Sequence, residues 1–363
     1  MSALFKLEKA KTLPKGKIYD FLELLRENFD KLIAPVKKGK PIVFTEIDDV
    51  KKVVLDYTRT LLPPKKFILK YRRERFSYNA ETLEVEKREK LSEKQVIFGI
   101  HPCDLHALTI LDEIHLGEFP DPRYLEVRRN TVLIGISCVP DQWCYCIATG
   151  TAFPDGATWD LFLTDIGDKY FVSIGSDKGD EIVHLADGLF EEVTDEDLKR
   201  FKEETAKKKH LFAESQLPDL ERISQVIELE YESHVWKEEA DRCLSCGTCT
   251  NTCPTCFCYT SVDIPDAEGK TVKRVEFITS CQYPYYSRVA GGHEFLEDRT
   301  ARFRHRYYHK FVGYPYQIGK FGCVGCGRCS AFCPANISMV KTLKRLREET
   351  GNHTAGEKVS ATS

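Results

Sequence analysis

The 363-residue sequence lacks most features of an exported, membrane-spanning or nucleotide-binding protein. No apolar stretch approaches the ~20 residues needed to cross a bilayer. The first residues, MSALFKLEKAKTLPKGK, contain lysines but no apolar run of the kind found in a secretory signal. No G-x-G-x-x-G follows a predicted strand and no Walker A sequence is present, so no nucleotide fingerprint is visible. The net charge of −3 argues against a nucleic-acid partner. We therefore expect a cytoplasmic protein without a membrane span.

Cysteine, in contrast, is abundant, and its spacing is informative. The chain has fifteen cysteines, and in the cytosol, where thiols stay reduced, such numbers indicate metal ligands more than disulfides. Eight of them form two copies of C-x2-C-x2-C-x3-C-P. Three thiolates two residues apart can hold the corners of one cubane, and the fourth, displaced by three residues and a proline, reaches another cluster. Zinc sites use more widely separated C-x2-C pairs and fit this spacing badly.

The doubled run therefore predicts two [4Fe-4S] clusters that exchange their fourth ligands. The predicted ligands are Cys243, Cys246, Cys249 and Cys333 for the first cluster, and Cys323, Cys326, Cys329 and Cys253 for the second. About seventy residues separate the two runs, which is more than in a compact bacterial ferredoxin. This separation favours an all-helical ferredoxin arrangement, in which each run lies on a loop that opens a helix.

Four further cysteines, Cys103, Cys138, Cys144 and Cys146, lie in the N-terminal part of the chain. Cys103 and Cys138 each follow a short β-branched segment that reads as a buried parallel strand, 96–100 and 132–136. If these strands are neighbours, both thiols lie at the sheet edge where ligands usually bind, within reach of the other two. We expect a third [4Fe-4S] cluster here, with a zinc site or plain buried thiols as the alternatives.

The last three cysteines, Cys256, Cys258 and Cys281, flank the first run without a fourth cysteine. A further cubane would need a ligand such as His293. We favour a role beside the first cluster without ligation. Substitution for Cys253 and a redox-active dithiol remain the alternatives.

A basic and aromatic segment, DRTARFRHRYYHKF at 298–311, is the remaining chemical signal. Positive charges and N–H donors near a cluster stabilise its reduced state, so we expect Arg304, His305 and Arg306 to tune a cluster potential. A solvated helix face is the alternative interpretation.

The pattern of apolar residues predicts an α+β protein, with an N-terminal α/β domain at 1–200, an all-helical ferredoxin-type domain at 201–345 and a disordered tail at 346–363. The predicted helices include 19–32 and 50–62, and the predicted strands are 42–44, 66–71, 96–100, 132–136 and 170–174.

Several segments together resemble the iron-sulfur beta subunits of cytoplasmic sulfhydrogenases, a family that also includes an iron-sulfur component of anaerobic sulfite reductase. They are HPCDLHALTILD (101–112), the cysteines at 138–146, WDLFLTDIGDKYF (159–171), CGTCTNTCPTCFC (246–258), TSC (279–281), AGGHEF (290–295), RFRHRYYHKF (302–311) and CVGCGRCSAFCP (323–334). The resemblance spans roughly residues 65 to 345 and shows no departure at the predicted ligands.

This resemblance implies a non-catalytic electron-transfer protein within an anaerobic oxidoreductase complex. Such a protein relays electrons from a flavin-containing, NAD(P)H-oxidising subunit to catalytic subunits, or in the reverse direction. The catalytic subunits are those of a [NiFe] hydrogenase or of a siroheme sulfite reductase. The main alternative is a cluster-assisted thiol or disulfide reductase that uses Cys256, Cys258 and Cys281. A cluster-based sensor would need a DNA-binding element, and no helix-turn-helix pattern is evident.

Overall fold

The computed structural model describes residues 10–88, 93–213 and 220–360, and these form two compact units. The first unit comprises the described residues within Met1–Pro64, Ser92–Leu217 and Val324–Cys326. The second comprises those within Lys65–Leu91, Pro218–Cys323 and Gly327–Ser363. The predicted boundary near residue 200 therefore differs from this division, because the first unit includes α-helical residues beyond 200 and the segment after Pro64 belongs with the second unit.

The regular elements of the described residues alternate through most of the chain. The strands are β1 (Ala10–Pro14), β2 (Lys31–Lys37), β3 (Ile42–Glu46), β4 (Arg72–Asn79), β5 (Val85–Arg88), β6 (Gln95–Ile100), β7 (Thr131–Ile136), β8 (Leu161–Asp165), β9 (Lys169–Ile174), β10 (Glu191–Glu192), β11 (Tyr259–Pro265) and β12 (Thr271–Ile278). The α-helices are α1 (Ile18–Asn28), α2 (Pro102–His115), α3 (Pro122–Arg129), α4 (Asp177–Leu185), α5 (Asp195–Ala213), α6 (Ile223–Leu229), α7 (His234–Arg242), α8 (Thr248–Asn251), α9 (Arg299–Tyr308), α10 (Tyr314–Ile318), α11 (Arg328–Ala331) and α12 (Met339–Ser360). A π-helical turn, His309–Gly313, joins α9 to α10.

The first unit is built on an eight-stranded mixed sheet in the order β10-β1-β9-β8-β7-β6-β2-β3. Strands β2, β6, β7 and β8 pair in parallel, and the remaining pairs are antiparallel. Every residue of β6 and β7 is buried, as expected for parallel strands covered on both faces. The mixed α/β class and the parallel pairing of the two strands that precede Cys103 and Cys138 are thus confirmed.

Two local predictions in the first 75 residues were wrong, because tertiary contacts override the local pattern. The predicted helix 50–62 is only a 3-10 turn at Val50–Lys52, after which Val53 pairs with Val36 and the Val54 N–H donates to the Pro35 carbonyl at 2.8 Å. The predicted strand 66–71 is likewise replaced by a 3-10 turn at Pro64–Phe67. That turn buries Lys65.

The second unit contains a four-stranded antiparallel sheet in the order β11-β12-β4-β5, so the prediction of an all-helical domain is not confirmed. Strands β11 and β12 form a hairpin from Tyr259↔Ile278 to Pro265↔Val272. The Asp266 carboxylate accepts from the Lys270 N–H at 2.9 Å and closes the turn. The alternating residues and the DAEG turn could have indicated this hairpin from sequence. Its partners β4 and β5 come from a distant part of the chain and could not.

Helices α7, α9 and α12 form the apolar interior of the second unit. Trp236 of α7 is almost fully buried, with its ring 5.4 Å from that of Tyr307 on α9. Helix α12 continues to Ser360, which differs from the predicted disordered tail at 346–363, of which 361–363 lie outside the described residues. Leu346 is fully buried and Thr350 donates to the Glu230 carboxylate at 2.8 Å, so packing orders the start of this polar segment. No helix in the described parts of the chain is long and apolar enough to cross a membrane.

Candidate functional site

Four thiols of the second unit line a single cavity, and they are the four predicted for the first cluster. Its cysteines include Cys243, Cys246, Cys249 and Cys333, and Cys329 also lies on its wall. Phe303 and Tyr307 of α9 form part of the apolar lining. The last cysteine of one run is therefore brought to the first three of the other, as the exchange of fourth ligands requires.

The two runs share one local geometry, which explains how each presents its thiols. Gly247 and Gly327 have positive φ angles of 73° and 71°, and each immediately precedes a short helix, α8 or α11. A Cβ on Gly247 would lie 2.6 Å from the Tyr283 ring, so the position requires glycine for space as well as for conformation. The Ser245 N–H donates to Cys243 Sγ at 3.4 Å, which is a contact that stabilises a thiolate.

The loop that carries Cys253 is held against the residue that precedes Cys323. The Thr255 hydroxyl lies 3.2 Å from Cys253 Sγ and 2.6 Å from the Gly322 carbonyl oxygen. The Tyr314 hydroxyl donates to the Thr255 carbonyl at 3.0 Å. The predicted fourth ligand of the second cluster thus lies beside the start of the second run.

Basic side chains are buried around these thiols: Lys65, Arg306 and Lys310 are 1%, 5% and 2% exposed. Burial disfavours the charged form of Lys310, but Cys253 and Cys256 outweigh that effect and the pKa of Lys310 is raised. Burial likewise opposes the charge on Arg306, and its pKa is raised because Cys249, Cys329 and other thiols attract the guanidinium. The pKa of Lys65 is lowered by burial, against the opposing attraction of Cys256 and Cys253.

These charges act on the cysteines in turn. A hydrogen bond from Cys256, assisted by Lys310 and Arg306, lowers the pKa of Cys253. A lowered pKa favours the thiolate, which is the form that binds a metal. Burial raises the pKa of Cys249 to about 12 and is only partly opposed by Arg306. Since a buried thiolate needs a counter-charge, the site suits a group that brings its own iron.

Of the three predicted tuning residues, Arg306 fits and Arg304 does not. The Arg304 guanidinium stacks 3.7 Å above the Tyr231 ring and lies 3.7 Å from the Glu232 carboxylate. It faces these two residues and not the thiols, so the predicted tuning role was wrong for Arg304. His305 is one residue removed, since its ring lies 6.3 Å from that of Tyr286, whose hydroxyl donates to Cys258 Sγ at 3.2 Å.

The other cysteines that flank the first run lie beside this site. Cys256 is a hydrogen-bond partner of Cys253, and the Arg306 guanidinium lies 4.0 Å from its sulfur. Cys281 is buried, accepts from Gln282 Nε2 at 3.4 Å and lies within electrostatic reach of Cys249. His293, the fourth ligand considered for a further cubane, is exposed and packs against Phe295.

Sequence reasoning missed the two buried lysines and Thr255. Lys310 was visible only as one of several basic residues in the segment 298–311, and Lys65 adjoined a predicted strand. A lysine whose neighbours are apolar, as in the segment PPKKFIL, is a weak signal of a buried charge.

The N-terminal thiols converge in the first unit at the carboxyl ends of β6 and β7. Cys103 lies in the first turn of α2, and Cys103, Cys144 and Cys146 pack around Ala152 and Phe212. Cys138 and Cys144 both lie within electrostatic reach of Cys146, whose pKa burial raises. The predicted set is thus brought to one place.

Two basic side chains point at these N-terminal thiols. Lys208 Nζ donates to Cys138 Sγ at 3.4 Å and to the Ala152 carbonyl at 2.8 Å. Arg59 donates to Cys144 Sγ at 3.4 Å and pairs with the Asp141 carboxylate. Thiols faced by cations form an environment that suits an anionic cluster.

Residues 324–326 of the second run lie against the same thiols. The Tyr145 N–H donates to the Gly325 carbonyl at 2.8 Å, and the Thr151 hydroxyl donates to the Val324 carbonyl at 2.7 Å. A Cβ on Gly325 would lie 2.5 Å from the Cys146 nitrogen. Cys326 is therefore an electrostatic neighbour of Cys146.

The donor set throughout is thiolate, which is the set that iron-sulfur clusters use. Among the side chains that the structure describes, no group of three or more Cys, His, Asp or Glu is arranged to hold a single metal ion. Two repeated thiol loops with buried counter-charges define an iron-sulfur protein of the two-cluster class.

Comparison with known proteins agrees with this class. Residues 242–337 match the family model described as a 4Fe-4S dicluster domain. Over 333 residues the chain is 41% identical to Sulfhydrogenase 2 subunit beta of Pyrococcus furiosus, and the match covers 91% of this chain and 96% of that protein. The chain therefore belongs to the family of sulfhydrogenase beta subunits, as the resemblance of its motifs indicated. It is an iron-sulfur protein of electron transfer.

Proposed function

We propose that this chain is the electron-relay subunit of a multi-subunit oxidoreductase. Electrons pass through its clusters between a flavin-containing subunit that oxidises NAD(P)H and a catalytic subunit. The catalytic partner is of the [NiFe] hydrogenase or siroheme sulfite reductase type. The observation that carries the proposal is the cavity lined by Cys243, Cys246, Cys249 and Cys333 beside the buried Arg306. A cytoplasmic location is part of it, because fifteen thiols need a reducing compartment.

The proposal assigns two [4Fe-4S] clusters with exchanged fourth ligands to the paired cysteine runs, and a third to Cys103, Cys138, Cys144 and Cys146. A bound cluster supplies one-electron redox chemistry. The chain's own residues hold it, exclude water and compensate charge: Phe303 and Tyr307 line the cavity, while Arg306 faces the thiols. For the N-terminal set, the convergence of thiols with Lys208 and Arg59 supports a cluster over plain packing.

The alternative of a thiol or disulfide reductase gains no specific support from the site. Cys281 is buried, and Cys258 is held by the Tyr286 hydroxyl. Such an enzyme would need a thiol that an external disulfide can reach.

The test is reconstitution. The anaerobically purified, cluster-loaded chain should be inert alone with NAD(P)H and with disulfides. It should restore electron flow when mixed with the flavin and catalytic subunits of a sulfhydrogenase. The Cys329→Ser chain is the matched control and should restore little. If the isolated chain reduces disulfides from a low-potential donor and Cys258→Ser abolishes this, the relay proposal is wrong and the reductase is right.

A further inference from the structure

The buried cations Lys65, Lys310 and Arg306 do not act equally on the two predicted clusters. Arg306 lies within electrostatic reach of Cys249, a predicted ligand of the first cluster, and of Cys329 and Cys253, predicted ligands of the second. For Lys310 and Lys65, the strongest thiol partners are Cys253 and Cys256. The charge around the paired clusters is thus asymmetric.

Lys310 is tied to both chain segments that hold the second cluster. Its ammonium donates to Thr255 Oγ1 and to the Gly322 carbonyl, each at 2.8 Å. Thr255 Oγ1 in turn lies 3.2 Å from Cys253 Sγ. A ligating thiolate can only accept a hydrogen bond, so the Thr255 hydroxyl must donate to it. Lys310 favours this arrangement, because it satisfies the Gly322 carbonyl that the hydroxyl would otherwise serve.

Lys65 reaches the same loop from an independent part of the chain. Its ammonium donates to the Cys256 carbonyl oxygen and lies 5.9 Å from the centre of the Tyr71 ring. Tyr71 donates to the Asn251 carbonyl, so the segment after Pro64 also braces the loop that leads to Cys253. Two lysines that are almost fully buried therefore lie on the Cys253 side.

The first predicted cluster has a different environment. Cys246 is exposed, and its neighbour Leu244 is 64% exposed, so water reaches this side of the cavity. Water screens charge, whereas a buried cation acts through a low dielectric. Adding an electron to a cluster adds negative charge, and a buried cation beside it stabilises the reduced state and raises its potential.

We propose that Lys310 and Lys65 raise the potential of the cluster ligated by Cys253 above that of the cluster ligated by Cys333, so that a single electron rests on the former. Lys310 and Lys65 are positioning residues in this scheme, since they act through Thr255 and the Cys256 backbone. The inference rests on the proposed function, because it assumes that both clusters are present.

The test is a redox titration, monitored by electron paramagnetic resonance, of the full-length, cluster-loaded chain under anaerobic conditions. The native chain should show two separate midpoints for this pair. Lys310→Met and Lys65→Gln should each move the higher midpoint to lower potential and leave the lower one in place. Arg306→Gln should move both. Lys310→Arg, which keeps the charge, should restore the native value, and Arg304→Gln should have no effect. The signal that moves should be the one that Cys253→Ser alters.

Equal shifts of both midpoints in the lysine variants, or no shift in either variant, would overturn the inference. If Lys310→Met loses iron through misfolding, Lys65→Gln alone decides. Failure of the underlying function looks different: the native chain would hold well under about eight irons, the content of two cubanes, or would not titrate at all. A chain that is fully loaded and relays electrons, but whose midpoints ignore both lysines, contradicts only the inference.

Discussion

Thr255 and Gly322 are joined by a hydrogen bond of 2.6 Å between the hydroxyl and the carbonyl oxygen, although 67 residues separate them in sequence. Gly322 immediately precedes Cys323, and Thr255 follows Cys253 by two residues. A Cβ on Gly322 would lie 2.5 Å from the Tyr314 ring, so this close approach depends on glycine. The contact places the end of one cysteine run beside the start of the other.

The exchange of fourth ligands predicts which cysteine variants share a phenotype. Cys253→Ser and Cys329→Ser should remove the same cluster signal, and Cys333→Ser and Cys243→Ser should remove the other. Each should lower the iron content by up to about four per chain, because a cubane that lacks one thiolate is labile. Cys329→Ser should also destabilise the second unit, since metal binding and folding are coupled. Iron analysis with low-temperature paramagnetic resonance would measure this.

Cys258→Ser is the matched control for these variants, because Cys258 is bonded to Tyr286 and is not a predicted ligand. It should leave the iron content unchanged. If Cys253→Ser and Cys333→Ser instead removed the same signal, each run would bind its own cluster and the exchange would be wrong.

The close approach of Gly325 to Cys146 predicts a strong effect of a single methyl group. Gly325 has a φ of +61°, and its Cβ would meet backbone atoms that cannot move aside easily. Gly325→Ala should lower the free energy of unfolding by about 3 kcal/mol or more, from backbone strain plus overlap. Gly150→Ala is the control, since Gly150 has a φ of +72° with open space around it, and should cost only about 1 kcal/mol. Anaerobic thermal unfolding would compare them, and equal losses would show that the overlap is relieved.

The N-terminal thiols predict the iron content of the chain. If they hold a third cubane, the native chain should contain about twelve irons and Cys138→Ser about eight. Lys208→Gln should keep the iron but lower the potential of that cluster, because it removes the cation 3.4 Å from Cys138 Sγ. Iron and acid-labile sulfide assays would give the counts. A native content near eight would return Cys103, Cys138, Cys144 and Cys146 to zinc or to plain packing.

His309 predicts a loss of stability in acid. Burial, assisted by Lys310, lowers the pKa of His309 from 6.5 to about 4. Between these values the unfolded chain binds a proton that the folded chain does not, so stability falls as the pH drops from about 6.5 towards 4. His309→Phe keeps a ring against Tyr314 and should flatten this slope by at most about 2 kcal/mol, once solvent screening is allowed for. Chemical unfolding at several pH values, with iron content followed in parallel, would show it; an unchanged slope would contradict it.

Much of the first unit was predictable because its signals are local. The buried β-branched runs of β6 and β7 could be identified as parallel strands, and their parallel pairing then put Cys103 and Cys138 at one edge. The failures share a cause, since Val53 and Val54 extend along β2 and the segment 65–71 serves a loop near residue 256. Contacts between distant segments decided those residues, and no local pattern contains them.

The sequence by itself determined the chemistry of the clusters, because the spacing within C-x2-C-x2-C-x3-C-P sets how far each thiolate can reach. It also determined the family, which the number of matching segments carries. Only the tertiary structure decided which charges lie beside which thiols. Burying Lys65 and Lys310 is unfavourable unless partners compensate them, and their partners, the Cys256 and Gly322 carbonyls and Thr255, become neighbours only when the chain folds.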